Sequence, residues 1–164
     1  MRVLAFDPGA KRMGYAILEN GPVYIDSGIE TCIRFPNEPY QEYRARLIDQ
    51  WVGRAFTMCK QYHPDLVAYE TLPVRGFRDM SQALLAATAI TTVHAVAIYQ
   101  HLQVSTYAAN SVKARIAGSN KATKVGVRKG VQLFLPELDV PGWPQYPDES
   151  DAVAIGLTAL GYKL

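Results

Sequence analysis

The sequence predicts an α/β sandwich in which helices pack against a mixed sheet. Three observations predict it. The chain opens with three short apolar runs separated by turn signals. Two further short runs, at 66–69 and 104–106, stand alone. Long stretches of helical spacing separate and follow them. Runs joined by tight turns pair antiparallel and runs separated by a helix pair parallel, so the expected sheet has five strands, three antiparallel and then parallel. An all-parallel dinucleotide fold does not fit this opening.

Residues 3–6 form the first run and end at Asp7-Pro8-Gly9. A basic, glycine-containing link at 10–14 leads into the second run at 15–18, and the two read as a hairpin. Asn20-Gly21-Pro22 marks the next turn before a strand over 23–29. Beyond the loop around Pro36 and Pro39, residues 40–62 place Tyr43, Leu47, Trp51, Phe56 and Met58 near helical spacing, with Gly53 weakening the middle. His63-Pro64-Asp65 stops this helix, and the apolar run 66–69 reads as a buried strand delivering Glu70 at its end.

A second helix is expected over 79–101, which is rich in Ala and Leu and lacks Gly and Pro. Ala83, Leu84, Ala87, Ile90, Ala97 and Ile98 are assigned to packing on the sheet; Met80, Leu85 and Val93 are candidates for a face toward a partner subunit, with core burial the preferred reading of each. After the strand at 104–106, helices at 110–117 and 122–134 flank Gly118-Ser119-Asn120. A proline-rich irregular link then runs from 136 to 147, and the last helix covers 148–160. At 164 residues with no internal repeat, the expectation is one domain over 1–164.

Apolar residues make up 49% of the chain and charged residues 20%, which excludes wholesale disorder. The net charge of +2 permits nucleic-acid binding without requiring it. Cations do cluster, with Arg75 and Arg78 on one stretch and Lys113, Arg115, Lys121, Lys124, Arg128 and Lys129 on another; a solvated face and a DNA surface both fit. Cys32 and Cys59 lie in no metal-ligand spacing, so neither a zinc site nor a disulfide framework is expected. The apolar start is too short for a signal peptide and no segment reads as a membrane span, so a cytoplasmic protein with no membrane partner is expected.

Four acids stand at element ends. Asp7 closes the first strand in an Asp-Pro-Gly sequence that is also ordinary turn chemistry. Glu70 ends a buried strand, where a carboxylate is either exposed at the sheet edge or held charged by a partner or metal. In Pro-Asp-Glu-Ser-Asp, Asp148 is expected as the N-cap of the last helix and Asp151 at its third position, an arrangement that also explains itself as capping. Residues three apart share a helix face, so the pair can equally point together at a cation. Four such acids would make an all-oxygen site for Mg²⁺ or Mn²⁺, two of which together suit phosphodiester hydrolysis.

FDPGAKRMGYAI, AYET, YAANSVKARIAG with SNKATK, and PDESDAVAIG, in that order across nearly the whole chain, resemble the RuvC-type Holliday junction resolvases of bacteria and phages. The resemblance implies a ribonuclease H-like fold and a homodimer. It implies paired nicking of four-way junction DNA with Mg²⁺ or Mn²⁺, two ions per site, in DNA recombination and repair. The setting would be a bacterial cytoplasm, the protein's own or a phage host's.

It assigns Asp7, Glu70, Asp148 and Asp151 as metal-binding catalytic acids, Lys124 as a catalytic and DNA-facing cation, and Lys113 and Lys121 as DNA contacts. Where the family commonly carries a junction-wedging aromatic after the second acid, this chain has Pro73; Phe77, between Arg75 and Arg78, is the candidate to take that role on DNA. DPGAKRMG also resembles the opening of the YqgF relatives, RNA-processing nucleases of the same fold, but the later motifs favour the resolvases. A broader branched-DNA nuclease is the other alternative. An actin-like ATPase shares the Asp-x-Gly turn but needs a longer, two-lobed chain.

Overall fold

In the computed structural model, residues 1–72 and 80–164 are described, and they form the mixed five-stranded sheet expected. Its strands are β1 (Arg2–Pro8), β2 (Arg12–Glu19), β3 (Val23–Thr31), β4 (Leu66–Glu70) and β5 (Gln103–Tyr107), in the order β3-β2-β1-β4-β5. β1, β2 and β3 pair antiparallel; β4 runs parallel to β1, and β5 parallel to β4. The hairpin strands run further than their apolar runs suggest. Arg12, Met13 and Gly14, expected in the link, belong to β2, and Asp7 pairs with Gly14 inside the ladder.

The helices are α1 (Tyr40–Tyr62), α2 (Met80–Tyr99), α3 (Ala109–Ala117), α4 (Lys124–Phe134) and α5 (Pro147–Ala159). Gly53 does not break α1. α4 starts two residues later than expected because Thr123 caps it, its side chain accepting from the Gly126 amide at 3.2 Å. Within the proline-rich link, Pro136–Leu138 form a single 3₁₀ turn.

Alternation along the strands divides the core into two layers. Val3, Ala5, Ala16, Leu18, Leu66 and Ala68 face α3, α4 and α5. Leu4, Phe6, Met13, Ile17, Val67 and Tyr69 face α1 and α2. The parity that sends Val3 and Ala5, or Leu66 and Ala68, into the first layer carries Asp7 and Glu70 to the same side of the sheet, on adjacent parallel strands.

α2 corrects two expectations. Its core residues are Leu85, Ala86, Ala89, Val93, Val96 and Ala97, whereas Met80, Leu84 and Ile98 are exposed. Leu85 and Val93 therefore pack in the core, the preferred reading of each, whereas Leu84 and Ile98, assigned to the sheet-facing side, do not. A helix apolar on nearly every face carries no stripe from which to read its inner side. By length and composition this helix also passes for a membrane span, contrary to the reading that no segment does; its buried side packs against α1 and the sheet.

Candidate active site

The C-terminal ends of β1 and β4 and the first turns of α5 meet at one place. Ligand-capable oxygens of Asp7, Asp148 and Asp151 lie within 4.8 Å of one another. Glu70 joins Asp7 and Asp151 in lining a cavity of about 170 Å³ whose walls also include Lys113, Lys124, Ala109 and Val112. Sequence order thus separates four acids that the fold gathers.

Two cations sit on the α5 acids. The Lys124 ammonium donates to Asp151 Oδ2 at 2.6 Å and lies 3.5 Å from Asp148 Oδ1. Arg12 Nε donates to Asp148 Oδ2 at 2.8 Å, while its guanidinium stacks 4.9 Å from the centre of the Tyr146 ring. The strand acids lack such partners: among the described residues neither Asp7 nor Glu70 makes an ion pair. Burial pushes the Asp7 carboxyl well above the usual carboxylate range, the charges of Asp151, Glu70 and Asp148 push it further, and Lys124 opposes them. Burial and Asp151 raise Glu70 in the same way, against the pull of Lys113 and Lys124. Burial alone would lower the Lys124 ammonium, but its hydrogen bond to Asp151 and the surrounding carboxylates leave it above its ordinary value.

The start of α5 differs from expectation. Pro147 is the first helical residue and Tyr146 the N-cap, so Asp148 stands inside the first turn rather than capping it. The acid that reaches back is Glu149, which accepts from the Gln145 amide at 2.8 Å and from the Ser27 hydroxyl on β3 at 2.7 Å. Only 5% exposed, it fastens the helix start to the sheet. Gly14 fixes the approach from β2: a Cβ there would meet the Asp148 carbonyl oxygen at 2.0 Å. Sequence reasoning passed over both residues. The Pro147 signal, which places a helix start one residue before Asp148, was the clue to the first.

Of the residues expected on DNA, Lys113 and Lys124 line the carboxylate cavity, and Lys121 is exposed in the link before α4. Gly130 keeps α3 and α4 close enough to hold that arrangement, since a Cβ there would lie 1.9 Å from the Ile116 carbonyl. Arg75, Phe77 and Arg78 fall outside the described residues, as does Pro73.

The donor set is carboxylate oxygen, with no histidine or cysteine in the cluster among the described residues. Such a set suits a hard divalent cation and not zinc. The raised Asp7 and Glu70 carboxyls express the same fit, since a cation would relieve the mutual repulsion that protonation otherwise relieves.

Comparison with known proteins agrees with this geometry. The family described as "Crossover junction endodeoxyribonuclease RuvC" matches residues 3–159. The crossover junction endodeoxyribonuclease RuvC of Prochlorococcus marinus subsp. pastoris is 30% identical over 98% of this chain and 96% of its own length. That of Hahella chejuensis is 34% identical over 98% and 87%. Among solved structures, Thermus thermophilus RuvC in complex with a Holliday junction substrate superposes with a TM-score of 0.76 at 23% identity, covering 98% of this chain and 93% of that one. The yeast mitochondrial Holliday junction resolvase Ydc2 gives 0.66 at 17%, covering 98% and 76%. Both share the fold.

Proposed function

The chain belongs to the RuvC family of crossover junction endodeoxyribonucleases, and from that premise we propose that it resolves four-way DNA junctions by paired nicks in opposed strands. The observation that carries this reading is the convergence of the Asp7, Asp148 and Asp151 carboxylates beside Lys124. Asp7, Glu70, Asp148 and Asp151 would hold Mg²⁺ or Mn²⁺, two ions per site. When bound, the ions supply a water of lowered pKa and stabilise charge on the phosphate oxygens.

The protein's own side chains do the rest. Lys124, fixed against Asp151, presents its ammonium to the scissile phosphate, while Lys113 across the cavity and Lys121 on the preceding link hold the DNA backbone. Arg75, Phe77 and Arg78 are proposed as further DNA contacts. Residues 1–164 act as one nuclease domain in a bacterial cytoplasm. Opposed nicks require two sites, so the working unit is a homodimer. The exposed groove between α1 and α2, lined by Ile48, Val52, Leu84, Ala87, Thr91 and Ala95, is the face available to the second copy.

The test is cleavage of a synthetic four-way junction against a linear duplex of the same sequence, with Mg²⁺ and with chelator. Junction cleavage should be far faster and metal-dependent, and Asp7→Asn should bind the junction without cutting it. Equal cleavage of both substrates would refute junction selectivity.

A further inference from the structure

Away from the carboxylates, the best-built exposed feature is the loop at 33–38 that joins β3 to α1. β3 ends at Thr31, paired with Arg12, beside the β1 end that carries Asp7; the loop therefore leaves the sheet on the active-site edge. Two links tie it to the turn after Asp7. The Cys32 amide donates to the Lys11 carbonyl at 2.9 Å. The buried Tyr43 hydroxyl lies 2.8 Å from the Ala10 carbonyl and 3.0 Å from the Cys32 carbonyl, so its one proton serves both segments.

The loop is braced from beneath by Arg46 and Glu38. Arg46 donates to the Ile33 carbonyl at 2.7 Å and pairs with Glu38 at 2.8 Å; Glu38 in turn accepts from the Phe35 amide at 2.9 Å. The Glu38 carbonyl receives the Arg34 guanidinium at 2.6 Å, and among the described residues Arg34 makes no ion pair. All this bonding holds apolar side chains out in water, with Ile33 67% and Phe35 60% exposed. Arg46 covers one face of the Phe35 ring at 4.3 Å from its centre. A rigid, exposed apolar pair rimmed by cations is the signature of a binding surface and not of a loop left slack.

We propose that Lys11, Arg34 and Phe35 form a second DNA contact, on which an arm of the bound junction lies next to the strand being cut. The charges decide for DNA over a protein partner. Glu38 is paired with Arg46, so the loop presents Arg34 and the neighbouring turn presents Lys11, neither in an ion pair among the described residues, beside an aromatic ring, the combination that holds phosphates and stacks on nucleotides. This inference rests on the junction-resolving reading above.

Junction binding by Lys11→Gln, Arg34→Gln and Phe35→Ala, each in an Asp7→Asn background that cannot cut, tests it by fluorescence anisotropy over a series of salt concentrations. Each charge variant should lower the slope of log K against log salt by about one. Phe35→Ala should weaken binding on the order of tenfold. With Asp7 restored, the loss should fall on the protein concentration needed for half-maximal cleavage rather than on the cleavage step. Melting temperatures confirm that these exposed variants fold. Unchanged affinity and salt slope in all three would overturn the proposal, as would loss of self-association in place of DNA binding. If the parent protein itself neither binds nor cuts a junction, the function proposed above fails instead.

Discussion

Gly14→Ala is the sharpest probe of how the site is assembled. Gly14 pairs with Asp7 across the β1–β2 ladder, and the first turn of α5 passes over its bare Cα. The new Cβ would stand 2.0 Å from the Asp148 carbonyl oxygen and 2.6 Å from its carbon, both backbone atoms that no rotamer change can move. Non-bonded carbon–oxygen contacts below about 3 Å do not persist, so β2 and α5 must part by about 1 Å. α5 cannot yield freely, because Ala152, Val153 and Ile155 are fully buried behind Asp148. Overpacking of this kind costs about 1–3 kcal/mol of stability, and a misplacement of about 1 Å costs on the order of 10²-fold in rate. Gly53→Ala is the control: nothing lies within 4 Å of a Cβ there, and alanine in mid-helix should stabilise by about 0.5–1 kcal/mol. Single-turnover junction cleavage, Mn²⁺ affinity and urea denaturation should all fall for Gly14→Ala. Cleavage and metal affinity within threefold of the parent would refute the claim that this contact sets the position of Asp148.

Two other perturbations separate charge from architecture. Burial and neighbouring carboxylates raise the folded-state pKa of Asp7, so the stability it contributes is present at low pH and lost as pH rises from its unfolded value, about 4, through its folded one. Asp7→Asn removes that loss: in chelator at pH 7 its melting temperature should exceed the parent's, the excess should shrink below about pH 4, and an equal or lower value at pH 7 would contradict the assignment. Glu149→Ala removes the carboxylate that accepts from the Ser27 hydroxyl and the Gln145 amide at a part-buried contact and should cost about 1–3 kcal/mol in urea denaturation, with weaker Mn²⁺ binding. A cost below about 1 kcal/mol would show that Glu149 does not anchor α5.

How much of this was legible in the sequence depended on whether a residue's task is local. Strands, α1 and the four acids were readable because alternation, helical spacing and turn chemistry are written within a few residues of each feature. Tyr40–Tyr62 matched its expected bounds for that reason. The inner face of α2 was not readable, since Leu84 and Leu85 are equally apolar and only the neighbouring layer decides between them. Nor was the task of Gly14, which looks like a link residue until a helix from the far end of the chain is laid across it. Glu149 was hidden by its neighbours: in a run of acids, capping was assigned to Asp148, although a proline at 147 moves the helix start and hands that work to the next acid.

The same distinction explains how charge is distributed in the site. The helix acids arrive with partners, Asp148 with Arg12 and Asp151 with Lys124. Among the described residues the strand acids make no ion pair, because β1 and β4 are central strands whose neighbours on that face are Ala5 and Ala68, with Asp151, Lys113 and Lys124 only across the cavity. Carboxylate repulsion, only partly offset by Lys113 and Lys124, therefore concentrates at Asp7 and Glu70, at the ends of central strands. A divalent cation would gain most there, on strands that each pair with a neighbour on both sides. Lys124 and Arg12 make the complementary half: by pairing with the α5 acids they ease the approach of a helix carrying two acids to two more. Asp7→Asn in chelator measures the electrostatic strain that remains between the strand acids and α5.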